Sequence, residues 1–293
     1  APKSIPGVKE GGKARGSAAG KKVTTDENAE RLRNTIQAFK DHDESAYHGM
    51  VGWYVMDPLF KKVESIVGKK AAPAAYSRLN TMMGMASPGS DVVTEMNRGT
   101  AAHMLALKGE FGKFDKYGGN PGSRGAMKNA PELANVRGHP YHSTSQAVPM
   151  RRYLDTGVGA RAPKTSMYIG ASEVPKSPGF QNKVLVGDSH FSRGVGLSDV
   201  RTSADPHGSI SGPELADIHP WYHENVAKPS GLPSTSAQAV QWGALSAETG
   251  VETAVGAPKL ELFAQEVAKA AKRHGVTPEK ALEMIIKGQA HAG

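Results

Sequence analysis

The chain has 293 residues, 38% of them hydrophobic, with a formal net charge of +8 and no cysteine. That length and apolar content fit a folded protein with a real core rather than a disordered chain. The missing cysteines exclude disulfides, thiolate nucleophiles and cysteine-bound zinc or iron–sulfur clusters, and no apolar run approaches the roughly 20 residues of a membrane-spanning helix.

The charge is unevenly placed. Within residues 1–25, Lys3, Lys9, Lys13, Arg15, Lys21 and Lys22 stand against Glu10 alone, so this segment holds five of the eight net charges. It is built from Gly, Lys and Ala without a helical period. It reads as a flexible basic arm, either for nucleic acid or an acidic protein surface, or as a solubilising tail. Residues 26–293 are expected to form a single helical domain.

The first helical signal is Thr25 followed by Asp26 and Glu27, a cap with acids in the first turn. Leu32, Ile36 and Phe39 then recur at helical spacing. The stretch from Trp53-Tyr54 to Asp57-Pro58 marks a second start, with Leu59, Val63 and Ile66 on one apolar face. A third helix is predicted near Pro73 to Met85, with Tyr76, Leu79, Met82 and Met83 inward, the methionines reading as core filling. A fourth follows Ser87-Pro88-Gly89-Ser90-Asp91, with Val92, Met96, Ala101 and Leu105 on its buried side. Residues 109–150, rich in Gly, Pro and Asn, read as a long excursion, and 170–233 as loops alternating with short helices. Leu260, Phe263, Val267 and Ala271 then form one stripe stopped by Gly275. Thr277-Pro278-Glu279 restarts a helix that carries Leu282 and Ile285 inward. Strand signals are sparse, the best being the short Lys183-Val184-Leu185-Val186, so the fold class is mostly α with long loops.

Three segments carry candidate chemistry. Ser87 and Ser90-Asp91 open a helix whose first N–H groups lack intrahelical partners, so they form either an ordinary cap or a phosphate site. Gly157-Val158-Gly159 allows a tight turn and close approach of backbone to a ligand, or is a plain loop; Lys164 and Thr165 follow it at a predicted helix start. Gly187-Asp188-Ser189-His190-Phe191-Ser192-Arg193 puts a carboxylate at another helix start. Asp188 there is either a polar cap or a group that deprotonates a nucleophile or stabilises a cationic sugar. His190 is its nearest titratable neighbour, a structural hydrogen-bonding residue or a base.

In this order the three segments resemble the helix-hairpin-helix DNA glycosylases of the endonuclease III type. The matching residues are Ser87, Ser90-Asp91-Val92, Asn97 and Thr100-Ala101; then Gly157-Val158-Gly159 with Lys164-Thr165; then Asp188-Ser189-His190 with Arg193. The likeness spans roughly residues 85–200. A second resemblance, to uncharacterised phage-encoded proteins of that superfamily, covers more of the chain through Trp53-Tyr54, Ser87-Pro88, Lys164, Asp188-Ser189-His190 and Gln238-Ala239-Val240-Gln241-Trp242. The resemblance implies a glycosylase-like helical core over about 50–245 with further helices over about 258–290. It implies a DNA-acting protein that works on a nucleobase or its glycosidic bond, with Asp188 the essential carboxylate and Lys164 an amine able to form a Schiff base. Gly157, Val158, Gly159, Thr165, Ser87, Ser90 and Arg193 would hold DNA or its phosphates. No cofactor and no metal is expected.

Pro88 and Gly89 stand near the place where that family carries a DNA-wedging Gln. With the basic arm, this favours a second reading: a non-catalytic structural or virion-associated protein whose arm binds nucleic acid or a protein shell. The expected partners are DNA and phage capsid or tail proteins, with no membrane. No secretory signal is visible, and the expected location is the host cytoplasm or a phage virion.

Other candidates have structural alternatives beside them. His219 and His223 lie four apart with Pro220 between, metal-ligand types that equally form a cap with aromatic packing. His139, His142 and His207 sit in predicted loops. Gln238 and Gln241 would read a base or lie on a solvated helix face.

Overall fold

A computed structural model of the chain describes residues 17–88, 92–109, 144–160, 163–174, 184–201, 208–249 and 257–289. Ser90, the start of the basic arm, most of the 109–150 excursion, and His139, His142 and His207 lie outside these. The described chain is mostly helical and contains no strand. No described helix is long and apolar enough to cross a membrane. Where one helical domain was expected over 26–293, the chain forms two compact units.

The first unit contains α1 (Ala18–Val23), α2 (Asp26–His42) and α3 (Glu44–Val51). The end of the predicted arm is thus helical: Ser17 caps α1, and Lys21 and Lys22 lie on its exposed last turn. Thr25 caps α2 as its sequence predicts, accepting the Asn28 N–H at 3.2 Å, and Ala29, Leu32, Ile36 and Phe39 form the buried stripe. Asp43 ends α2 and caps α3 through the Ala46 N–H at 2.8 Å.

Trp53 lies in a turn after α3, its ring 4.9 Å from that of Trp242. Trp242 is on α12 (Ser234–Thr249), the helix on which α2 and α3 pack. Four further described helices belong to the first unit. These are α8 (Pro163–Ala171), α9 (Ser189–Gly194), α10 (Leu197–Val200) and α11 (Gly212–Tyr222).

Helix α11 starts in a capping box between Ser211 and Glu214, with Pro213 in its first turn. It runs through Pro220. Proline donates no N–H, and the helix passes straight into a π turn over His223–Ala227, in which Lys228 bonds back to the His223 carbonyl at 3.0 Å.

The second unit contains α4 (Asp57–Val67), α5 (Ala72–Ala86), α6 (Val92–Leu107), α7 (Thr144–Thr156), α13 (Lys259–His274) and α14 (Pro278–Ile286). Helix α5 is its centre and packs on α4, α6 and α7. The predicted inward residues Tyr76, Leu79, Met82 and Met83 are all fully buried. Val92, Met96, Ala101 and Leu105 of α6 are buried as well. On α13 the predicted Phe263, Val267 and Ala271 are buried; Leu260 is only partly covered, and Leu262 and Lys259 are buried in addition. Apolar spacing gives no reason to bury a lysine.

The α5–α6 contact depends on Gly99. A Cβ there would lie 2.3 Å from Met83 Cα and 2.7 Å from Met83 N. The obstacle is backbone, which cannot swing aside as a side chain can. Gly99→Ala is therefore expected to destabilise the protein by about 2–3 kcal/mol despite the gain in helix propensity, read as a lower urea midpoint. A midpoint equal to that of the unaltered chain would contradict this packing.

Candidate functional site

The predicted strand at 183–186 is instead a buried, irregular segment over Val184, Leu185 and Val186. With no neighbouring strand, its backbone takes a side-chain partner. Gln238 Oε1 accepts the Val186 N–H at 2.8 Å, and Gln238 Nε2 donates to the Val186 carbonyl. The amide thus meets one residue through both its donor and its acceptor, as a strand neighbour would. One residue on, the Gly187 carbonyl accepts the Ile210 N–H at 2.9 Å.

This bracing delivers Asp188 to the start of α9. Its backbone is extended, and Oδ1 accepts the Phe191 N–H at 2.7 Å, a helix cap. Phe191 packs edge-on to Tyr222 at 5.1 Å, and the Tyr222 hydroxyl donates to Gln241 Oε1 at 2.8 Å. Asp188 and His190 are half-buried, whereas Arg193 is exposed. Arg193 lies 3.2 Å from His190 Nδ1. The heptad therefore combines a capping carboxylate with an imidazole–guanidinium pair. Gln238 and Gln241, candidate base readers in the sequence, hold the loop and the Tyr222 hydroxyl.

Gly157 adopts φ +67°, and its N–H donates to the Tyr153 carbonyl at 2.8 Å, closing α7. Val158 is exposed, and its N–H donates to Thr156 Oγ1 at 3.2 Å. A guanidinium N–H of Arg152 donates to the Gly159 carbonyl at 3.3 Å. Nothing stands within 4 Å of a Cβ built on Gly157 or Gly159, so this backbone is open to an approaching group.

Lys164 and Thr165 lie in the first turn of α8, Lys164 half-buried and Thr165 buried. Helix α8 belongs to the same unit as Asp188, and α7 with its turn belongs to the other. Among the described residues no hydrogen bond or ion pair joins Lys164 to Asp188. Ser87 ends α5, and the carbonyls of Ala86 and Pro88 on either side of it both accept from Gln146 Nε2, at 2.6 and 2.8 Å.

Three polar constellations have no counterpart in the sequence reading. In the first unit Arg201 forms a bidentate pair with Glu214 at 2.9 and 2.8 Å. Burial opposes ionisation of Glu214, but the hydrogen bonds from Arg201 and Ser211 hold it below its ordinary range. The Ser211-Gly-Pro-Glu214 spacing was the signal that could have found it.

In the second unit Lys259 and Glu95 face one another at 3.6 Å, both fully buried. Burial pulls the Lys259 amine below its ordinary range, with Glu95 pulling the other way. The third constellation surrounds α5. Asn80 Nδ2 donates to Glu173 Oε2 at 3.1 Å, and burial raises the Glu173 carboxyl against the effect of hydrogen bonds from Asn80 and Ser77. His103 is driven down to about 3 by burial and then by the charge of Arg78, so it is neutral at physiological pH. Nothing in the spacing of these residues signals that they meet.

Among the described residues no group of three or more metal-ligating side chains converges. His219 lies inside α11, while His223 opens the π turn and sits 3.1 Å from Ser234 Oγ.

The capping and bracing roles separate in mutants. Asp188→Asn keeps a capping acceptor and is expected to leave stability within about 0.5 kcal/mol, while Asp188→Ala costs about 1 kcal/mol. Gln238→Leu strands the buried Val186 N–H, while the Val186 carbonyl keeps the Asp188 N–H, and is expected to cost about 2 kcal/mol. Urea titrations that rank Asp188→Ala as the worst of the three would refute this assignment. Comparison of the chain with protein families, with curated proteins and with solved structures finds no match in any of the three.

Proposed function

We propose that this chain is a non-catalytic nucleic-acid-associated protein that grips a phosphate backbone through its basic segment. The observation that carries the reading is that this segment is rooted. The Ser17 N–H donates to Asp217 Oδ2 at 2.8 Å, and α1 packs on α11. The approach is tight: a Cβ on Gly20 would lie 2.7 Å from that same carboxylate oxygen. The cations of 1–25 therefore lead into a fixed helix on the first unit. Lys21 and Lys22 are exposed there, with no ion-pair partner among the described residues. The polar side chains that could serve chemistry nearby are largely committed to structure: Asp188 caps, Gln238 braces Val186, and Gln241 binds Tyr222. The resemblance to phage-encoded proteins supports a setting within a virion or the infected host cell.

Each lysine or arginine that neutralises a phosphate releases counterions, so binding weakens steeply with salt. Changing Lys3, Lys9, Lys13, Arg15, Lys21 and Lys22 together to Gln is expected to flatten the log K against log salt plot for duplex DNA by up to about 5. Fluorescence anisotropy across a salt series measures this, and an unchanged slope would refute the role of the segment.

One observation favours a second reading, action on a nucleobase or its glycosidic bond. Only one oxygen of the half-buried Asp188 carboxylate is used in capping, and His190 and Arg193 follow within the same helix. Because Asn at 188 preserves the cap, Asp188→Asn separates chemistry from stability. If the reading holds, the unaltered chain releases base from damaged or modified duplex and Asp188→Asn does so at least roughly 100-fold more slowly. Equal background release from both removes it.

A further inference from the structure

Four exposed lysines of this chain have a carboxylate partner one helical turn away. Lys228 meets Glu224 at 3.0 Å, Lys280 and Lys287 meet Glu283 at 2.9 and 2.7 Å, and Lys269 meets Glu266. Another four, clustered in the second unit, do not. Lys61, Lys62, Lys69 and Lys70 are all exposed, and none has an ion-pair partner among the described residues. Sequence spacing does not force this. Asp57 lies four residues before Lys61 and Glu64 three after it, yet neither closes a pair.

The four cations are held on one short element. Leu59 and Val63 bury one face of α4, which packs on α5, so Lys61 and Lys62 project from the remainder of the helix surface. Gly68, at φ +80°, ends the helix, and its carbonyl accepts the N–H groups of Ala71 and Ala72 at 3.1 and 3.0 Å. Lys69 and Lys70 therefore sit in a bonded turn directly before α5 rather than in a free coil. Lys61 and Lys62 lie on α4, and Lys69 and Lys70 directly follow the glycine that ends it, so all four fall within ten residues of chain. Duplex DNA carries one charge per about 1.7 Å of helix axis, dense enough for neighbouring ammonium groups each to meet a phosphate.

We propose that Lys61, Lys62, Lys69 and Lys70 form a second contact surface for the phosphate backbone of duplex nucleic acid. This inference rests on the reading that the chain binds nucleic acid. It adds a contact on the second unit to the one supplied by the basic segment of the first. The surface reads charge and not sequence, since ammonium groups on phosphate fix position without distinguishing bases.

The test uses the full chain and a labelled random-sequence DNA duplex of about 20 base pairs, titrated at several salt concentrations. Changing the four lysines to Gln is expected to weaken binding by roughly ten-fold or more near 0.1 M salt and to make the salt slope shallower by about 3 to 4. Changing them to Arg is expected to restore both. The substitutions lie on exposed positions, and an unchanged thermal melt shows that any loss arises from charge. If the Gln variant binds as tightly and as steeply as the unaltered chain, the inference is overturned. If neutralising Lys3, Lys9, Lys13 and Arg15 abolishes binding while the Gln variant at 61, 62, 69 and 70 loses none, this surface is refuted and the basic-segment reading stands. If the unaltered chain does not bind the duplex, both fall.

Discussion

The rest of the described structure depends on how irregular backbone is satisfied in a fold with no described strand. A buried N–H or C=O costs about 1–3 kcal/mol when left without a partner, and a sheet would normally supply those partners. Here amide and guanidinium side chains do so. Gln238 serves Val186, Gln146 serves Ala86 and Pro88, and Arg201 serves Gly208 and Ser209 while holding Glu214. Asn28 donates to the carbonyls of Val23 and Val195, and Arg31 donates to that of Gly194. Loops after α8 and α9 are thereby fixed by long polar side chains projecting from helices. The same residue types that a sequence reader associates with ligands are consumed in this work.

That economy shapes the functional reading. Asp188 lies in a well-braced position, but the bracing accounts for its capping oxygen and for both glutamines of α12 that face the region. Lys21 and Lys22 on α1 and the two lysine pairs around α4 are exposed and have no ion-pair partner among the described residues. Exposed ammonium groups without local carboxylates gain most from a polyanion, because no internal pair has to be broken to engage it. These are the cations on which the proposed phosphate-backbone contacts rest.

The buried polar groups of the second unit serve another purpose. Lys259 with Glu95, and Glu173 with Asn80 and Ser77, are polar groups at least half enclosed in a helical core. Such groups contribute little net stability compared with apolar packing, yet removing one partner leaves the other exposed to a full desolvation cost. The α5–α6 contact, closed by Gly99 against Met83, sets how near these helices approach and thus whether such pairs can form at all.

The helical class, the caps at Thr25 and Thr277, and the inward faces of α2, α5 and α6 were legible in the residues, because caps and apolar periods act within one or two turns of chain. The unequal basic charge was equally plain. Other features came only with tertiary structure: the partner of Val186, the continuation of α11 through Pro220 into a π turn, the burial of Lys259, and the division into two units. Each depends on groups brought together from distant parts of the chain. Gln238 is 52 residues from the backbone it serves, and Asp217 is 200 from the serine it anchors. Local spacing determines which turn can form, but not which remote side chain will meet it.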